Sequence, residues 1–238
     1  MKIGIITAMG SEQKQVAQLL EDKKEYTEGP FQYTEGPFQY TEGTIRNNTI
    51  ILMKCGIGKV NAAAGAVELI RNFQPHCVIS TGVAGGIDTC LKVMDVVVSQ
   101  QIAYHDVWCG EGNVYGQVQG LPARFEGNKT LFDCAMSLDT PTAIHGGLIC
   151  SGDKFITDRS ELNEIKEKFH EGLAVDMESG AIAQICHIYK VPFISFRIIS
   201  DTPGADNHWE QYTNFWETIA DRSFEVTHTF LSSLPANL

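Results

Sequence analysis

The segment Cys77-Val78-Ile79-Ser80-Thr81-Gly82-Val83-Ala84-Gly85-Gly86 opens apolar and closes on glycine. Cys77 to Thr81 reads as a short strand buried on both faces, because its apolar residues are consecutive rather than alternating with polar ones. The glycines that follow read as a loop that lets backbone approach a ligand closely. This loop lacks the G-x-G-x-x-G spacing of a dinucleotide fold and the Lys-Ser/Thr pair of a P-loop.

A strand buried on both faces needs cover on both. Outward from this segment, strand and helix patterns alternate. Strands are expected at Lys2 to Ala8, Ile50 to Lys54, Val93 to Ile102, Gly147 to Cys150 and Phe193 to Ile199. Helices are expected at Glu12 to Leu20, Lys59 to Phe73, Arg159 to Phe169, Glu178 to Tyr189 and Asn214 to Leu234. There is no Pro/Ser-rich linker and no break in composition. The pattern therefore predicts one α/β domain over residues 1–238, its sheet covered by helices on both faces.

Composition narrows the partners. The 238 residues carry a formal net charge of −11. That argues against a nucleic-acid backbone or an anionic membrane as the natural partner, since both reward Lys and Arg, and it disfavours a heavily phosphorylated substrate. No apolar run approaches the roughly 20 residues of a membrane helix. Ile3-Gly4-Ile5-Ile6 is too short for a signal core, so a cytoplasmic location is expected. The seven cysteines are scattered, without a C-x-x-C pair. Reduced, buried thiols fit this better than disulfides or zinc. The histidines show no metal-ligand spacing, and His105-Asp106 reads as a structural hydrogen-bonded pair. Tyr26-Thr27-Glu28-Gly29-Pro30-Phe31-Gln32 recurs unchanged at Tyr33 to Gln39. Its Gly-Pro forbids a helix, so the tandem unit is expected to lengthen an exposed hairpin or loop and to take no part in chemistry.

In folds of this class ligands gather at the carboxyl ends of strands. The segments to examine are Met9 to Glu12, Cys55 to Lys59, Gly82 to Gly86, Ser151 to Ile156, Asp176 to Ser179 and Ser200-Asp201. Asp201 follows the apolar strand Ile194-Ser195-Phe196-Arg197-Ile198-Ile199-Ser200. Poor solvation there suits a general acid, although Asp-Thr-Pro-Gly is also good turn chemistry. Glu178 stands at a strand-to-helix junction, where an acid is also favoured by the helix dipole. Glu12, taken alone, reads as a first-turn helix acid.

Taken in order, Ala8-Met9 with Glu12, Cys55-Gly56-Ile57-Gly58-Lys59-Val60, Ser80 to Gly86, Tyr104-His105-Asp106, Ser151-Gly152-Asp153-Lys154-Phe155-Ile156, Val175-Asp176-Met177-Glu178 and Ile199-Ser200-Asp201 resemble the 5′-methylthioadenosine/S-adenosylhomocysteine nucleosidases of the nucleoside phosphorylase superfamily. The resemblance implies a central mixed sheet flanked by helices and hydrolysis of an adenine nucleoside at its N-glycosidic bond. Asp201 would protonate adenine N7 and Glu12 would activate the attacking water. Glu178 would grip the ribose hydroxyls, with Met177 packed on the sugar. Met9, Ile57, Val83, Ala84, Gly85, Phe155 and Ile156 would surround base and ribose, and Ser200 would orient Asp201 or touch the base. No metal or cofactor is implied, and the family's homodimer would cover the 5′ end of the substrate with a neighbour's loop.

Several positions depart from the pattern: Asp176 for the usual Glu, Gly10-Ser11 for a more acidic run, Val83 for a common Ser, Met94 for Gly, and the dissimilar stretch Val107 to Gln119. A purine nucleoside phosphorylase, or a hydrolase of a futalosine- or inosine-like nucleoside, is the alternative. A phosphate pocket needs cations. The loop after the first strand holds none before Lys14 and carries Glu12, which favours water as the nucleophile.

Overall fold

The computed structural model describes residues 1–26, 38–202, 207–216 and 220–235. The chain runs β1 (Lys2–Thr7), α1 (Gly10–Gln18), β2 (Glu21–Tyr26), β3 (Tyr40–Ile45), β4 (Asn48–Lys54), α2 (Lys59–Phe73), β5 (Cys77–Gly86), β6 (Val96–Tyr104), β7 (Phe125–Glu126), α3 (Lys129–Met136), β8 (Ile144–Ser151), α4 (Arg159–Lys168), β9 (Gly172–Asp176), α5 (Ser179–Tyr189), β10 (Phe193–Asp201), α6 (His208–Asn214) and α7 (Ala220–Ser233).

All ten strands among the described residues belong to one mixed sheet, in the order β10-β6-β8-β9-β5-β1-β4-β3-β2, with β7 on β6. β10 also pairs with β5, so β5, β10, β6, β8 and β9 close into a ring. β5 is the hub. Its Cys77–Ser80 half pairs with β1, its Gly85-Gly86 end with β9, and Val78–Gly85 with β10. This corrects the sequence reading of Gly82 to Gly86 as a loop. The glycines are strand, and their backbone groups are taken up by β10 and β9, a non-local pairing that glycine's weak strand propensity conceals.

Helices cover both faces because successive strand side chains point to opposite sides. Along β4, Ile50 and Leu52 join one apolar cluster, with Val16 of α1, Leu131 of α3 and Phe230 of α7. Ile51 and Met53 join the other, with Ala62, Ala66 and Leu69 of α2 and Ile182 of α5. The buried residues of α2 recur at helical spacing, and its bounds match the predicted ones. The predicted C-terminal helix differs: α6 starts at His208, six residues ahead of the Asn214 expected, and α7 ends at Ser233. Buried Phe215, Phe224 and Phe230 share one apolar cluster, while Tyr212 turns to another surface.

The tandem repeat falls largely on residues 27–37, outside the described residues. Its flanks pair antiparallel, Tyr26 opposite Tyr40. No helix among the described residues is long and apolar enough to cross a membrane.

On β10, Phe196 lies flat against Phe230 of α7, ring centroids 4.8 Å apart, and both are fully buried. Phe196→Ala removes that stack and leaves a void, at a cost of about 3–5 kcal/mol. The expected result is a urea midpoint shifted down with an unchanged slope.

Candidate active site

At the carboxyl ends of the ring strands lies a cavity of about 100 Å³. Ala8, Met9 and Glu12 reach it from the β1–α1 junction, Ile57 from the segment before α2, and Val83, Ala84 and Gly85 from β5. Lys154, Phe155 and Ile156 follow β8; Val175 to Glu178 span the β9–α5 junction; Ser200 and Asp201 end β10; Tyr212 comes from α6. All twelve residues singled out in the sequence line this one space.

Asp201 is aimed into it by a bulge. The β10–β5 register runs unbroken from Phe193 opposite Val78 to Ile199 opposite Ala84, and then Asp201 stands opposite Gly85. The extra residue, Ser200, breaks the alternation and turns two consecutive side chains toward the cavity. The Ser200 hydroxyl donates to Asp201 Oδ1 at 2.7 Å and fixes the carboxyl rotamer. Asp201 is 2% exposed.

Glu12 is held at both oxygens. Oε2 accepts from the backbone N–H of Ala8 (2.9 Å) and Met9 (3.0 Å), and Oε1 accepts from Val83 N–H (3.0 Å). Burial pushes its carboxyl above the ordinary range; the Arg197 charge and these N–H groups oppose the shift. Glu178 stands at the N-cap position of α5 without a side-chain capping bond, and its Oε1 accepts from Gly58 N–H at 2.9 Å. Gly58 has φ 91°, a left-handed conformation that suits glycine. Burial, and then the neighbouring Asp176 charge, raise Glu178 to about 7, against the pull of Arg197.

Arg197 is the residue the sequence reading missed. It lies 1% exposed on the β10 face that meets α5, paired to Asp176 Oδ2 at 2.8 Å. The signal was available: an arginine inside an apolar strand requires a buried partner. Gly82 matters beside it. A Cβ there would stand 2.3 Å from Glu12 Oε1 and 2.7 Å from Arg197 Nη1, so only glycine keeps the gap between those two groups open. Tyr212, whose hydroxyl points at Met9 Sδ (3.8 Å), had no such signal. Other quoted motif residues brace the cavity from outside. Asp106 accepts from Lys59 Nζ and from Asp153 N–H rather than pairing with His105, and Asp153 accepts from Lys59 N–H.

Residues 2–232 match the sequence profile of the Phosphorylase superfamily. The 5′-methylthioadenosine/S-adenosylhomocysteine nucleosidase of Halalkalibacterium halodurans is 40% identical over 236 residues, 98% of this chain and 99% of that one. The chain belongs to this nucleosidase family. Among solved structures, the nucleosidase from S. pneumoniae with a transition-state inhibitor superposes with a TM-score of 0.89 at 35% identity, over 99% of this chain and 100% of that one. A futalosine hydrolase of Helicobacter pylori shares the fold at a lower 26% identity, TM-score 0.87, with 98% of each chain covered. In this nucleosidase chain the cavity is a pocket of buried carboxyls over one guanidinium.

That arrangement sets a pH dependence. Glu178 is raised from 4.5 to about 7 in the native protein. Between those values the folded state holds more proton than the unfolded one, so this group's stabilisation is present at low pH and is lost as pH rises through about 7. Glu178→Gln should be more stable than the parent at pH 8 and close to it near pH 4.5, in urea titrations across that range. Parallel curves would show that Glu178 titrates normally.

Proposed function

We propose that this chain hydrolyses the N-glycosidic bond of 5′-methylthioadenosine and S-adenosylhomocysteine, and of 5′-deoxyadenosine, releasing adenine and the 5′-substituted ribose. The observation that carries this reading is the placement of Glu12: a buried carboxylate held by three backbone N–H groups, beside a gap that Gly82 leaves open.

Asp201 gives its proton to adenine N7, which makes the base a neutral leaving group as the C1′–N9 bond breaks. Positive charge then develops on the ribose ring. Glu178 accepts hydrogen bonds from the ribose hydroxyls, and the surrounding carboxylates stabilise the oxocarbenium-like state. Water attacks C1′ and passes its proton to Glu12. Burial makes Glu12 a stronger base than a solvated carboxylate, while Arg197 and the three N–H groups keep a share of it ionised. Ile57, Phe155 and Met177 pack against sugar and base, with the backbone of Val83 to Gly85 and Ile156 beneath. Phosphate fits poorly, because Glu12 occupies its place and the nearby guanidinium is already engaged by Asp176.

Ile57 and Phe155 line the cavity yet are 53% and 42% exposed, and Val60 beside them is 80% exposed. A second copy of the chain covers this mouth in a homodimer. The protein works in the cytoplasm, in keeping with seven cysteines that are all free thiols.

Adenine release should be unaffected by omitting inorganic phosphate; a requirement for phosphate would make the enzyme a phosphorylase. Asp201→Asn and Glu12→Gln should each lower kcat roughly 100- to 10,000-fold with KM little changed. Near-parental turnover in either variant would remove that residue from the chemistry. Sedimentation velocity should give a dimer, and Val60→Asp should yield a monomer with raised KM. A monomeric parent of full activity would refute the shared mouth.

A further inference from the structure

Around Arg197 the hydrogen-bond inventory closes on one hydroxyl. Ser179 is fully buried at the start of α5, and its Oγ donates to Asp176 Oδ2. Arg197 Nε and Nη2 both donate to the same oxygen, at 3.3 and 3.1 Å. Ser195 Oγ lies 2.6 Å away on the other side. A hydroxyl has one proton. That of Ser179 is spent on Asp176, so Ser195 donates, and the Ser179 rotor is locked. Arg197 Nη2 is further tied to Ser80 Oγ at 2.7 Å and to Asp176. Nη1 takes none of these partners. It borders the gap over Gly82, across from Glu12 Oε1.

We propose that Ser179 is a positioning residue: its hydroxyl, wedged between Asp176 and Arg197, holds the guanidinium at the angle that keeps Nη1 facing Glu12 across the gap over Gly82. The assignment rests on the hydrolytic reading above. Asp176 alone is too short to do this work. It meets only one edge of the guanidinium, at Nη2, and leaves Nε to the serine. Without the hydroxyl, a buried Nε–H and the Ser195 hydroxyl both lose a partner, and the guanidinium turns to recover one. Glu12 then loses the charge that favours its ionised form. The other titratable groups acting on or with Glu12 are Glu178, Cys55 and Tyr212, and none of them is positive.

The test is the pH profile of kcat for adenine release by the full-length enzyme from 5′-methylthioadenosine. First, the parent must release adenine without phosphate, and Glu12→Gln must remove the acidic limb; failure here sinks the hydrolytic reading itself. Given that limb, Ser179→Ala should lower kcat roughly 100-fold, as misplacement of a working group does, with KM within a factor of about two and the acidic limb moved to higher pH. Asp176→Glu added to Ser179→Ala extends the carboxylate by one methylene into the vacated space. It should return both kcat and the limb toward the parent. An unmoved limb in Ser179→Ala, whatever its kcat, means that the hydroxyl is only structural and overturns the proposal. A displaced limb that the double variant fails to restore overturns the bridging role. If Ser179→Ala does not fold, Ser179→Cys, a weak acceptor of similar shape, replaces it with the same expectation and the same refutation.

Discussion

A guanidinium buried this deeply has to be neutralised where it lies. Arg197 stands in the middle of β10, and every partner comes from a distant part of the chain: Asp176 from the end of β9, Ser179 from α5 and Ser80 from β5. These elements meet only if the ring of β5, β10, β6, β8 and β9 closes in one register. A one-residue slip of β10 would turn Arg197 toward α7, into the apolar layer where Phe196 and Ile198 now pack. Removing a partner from such a pair strands the remaining charge, at about 3–5 kcal/mol. The ion pair thus says less about net stability than about which closed sheet is allowed.

The same closure explains what could be read in advance. Elements set by local periodicity were legible, α2 above all, where small and apolar residues mark one face from Lys59 to Phe73. The end of β5 was not. Gly82 to Gly86 looks like a loop by composition and becomes strand only because β10 and β9 flank it. The bulge at Ser200 left no sequence signal either, although it decides where Asp201 points. Each candidate acid was ambiguous alone: Glu12 as a first-turn helix acid, Glu178 as a dipole partner, Asp201 as a turn residue. Those bland readings also hold in part, since Glu12 does lie in the first turn of α1 and Glu178 does stand at the start of α5. A carboxylate that satisfies backbone donors at a strand end is by that fact fixed and poorly hydrated, which is what acid–base chemistry requires.

The acids also bear on the nucleophile. Glu12, Asp176, Glu178 and Asp201 are all buried, and Arg197 is the cation set among them. A phosphorylase must hold a doubly charged anion in this space and needs free donors to do it. Here the guanidinium spends its Nε and Nη2 on protein partners, and the remaining edge faces a carboxylate. Water is neutral, small enough for the space beside Gly82, and able to donate to Glu12 and accept from Arg197 together. Selectivity against phosphate therefore needs no dedicated repulsive residue, because the groups that would activate water already exclude an anion.

Burial favours the protonated form of two of these carboxyls. It raises Glu12 above its ordinary value and, with the neighbouring Asp176 charge added, raises Glu178 to about 7. In the proposed reaction two proton transfers balance. Asp201 gives one proton to N7 while Glu12 takes one from water, so the cluster ends the chemical step with as many protons as it began. Its total charge does not change, and the surrounding dipoles and the Arg197 pair need no reorganisation. Only the location of the proton differs, from the base side of the sugar to the opposite side. Relaxation back, or exchange with solvent through the open mouth, restores the starting state. The arrangement thus couples departure of the base to attack by water through proton balance alone, with no group of the protein required to move far.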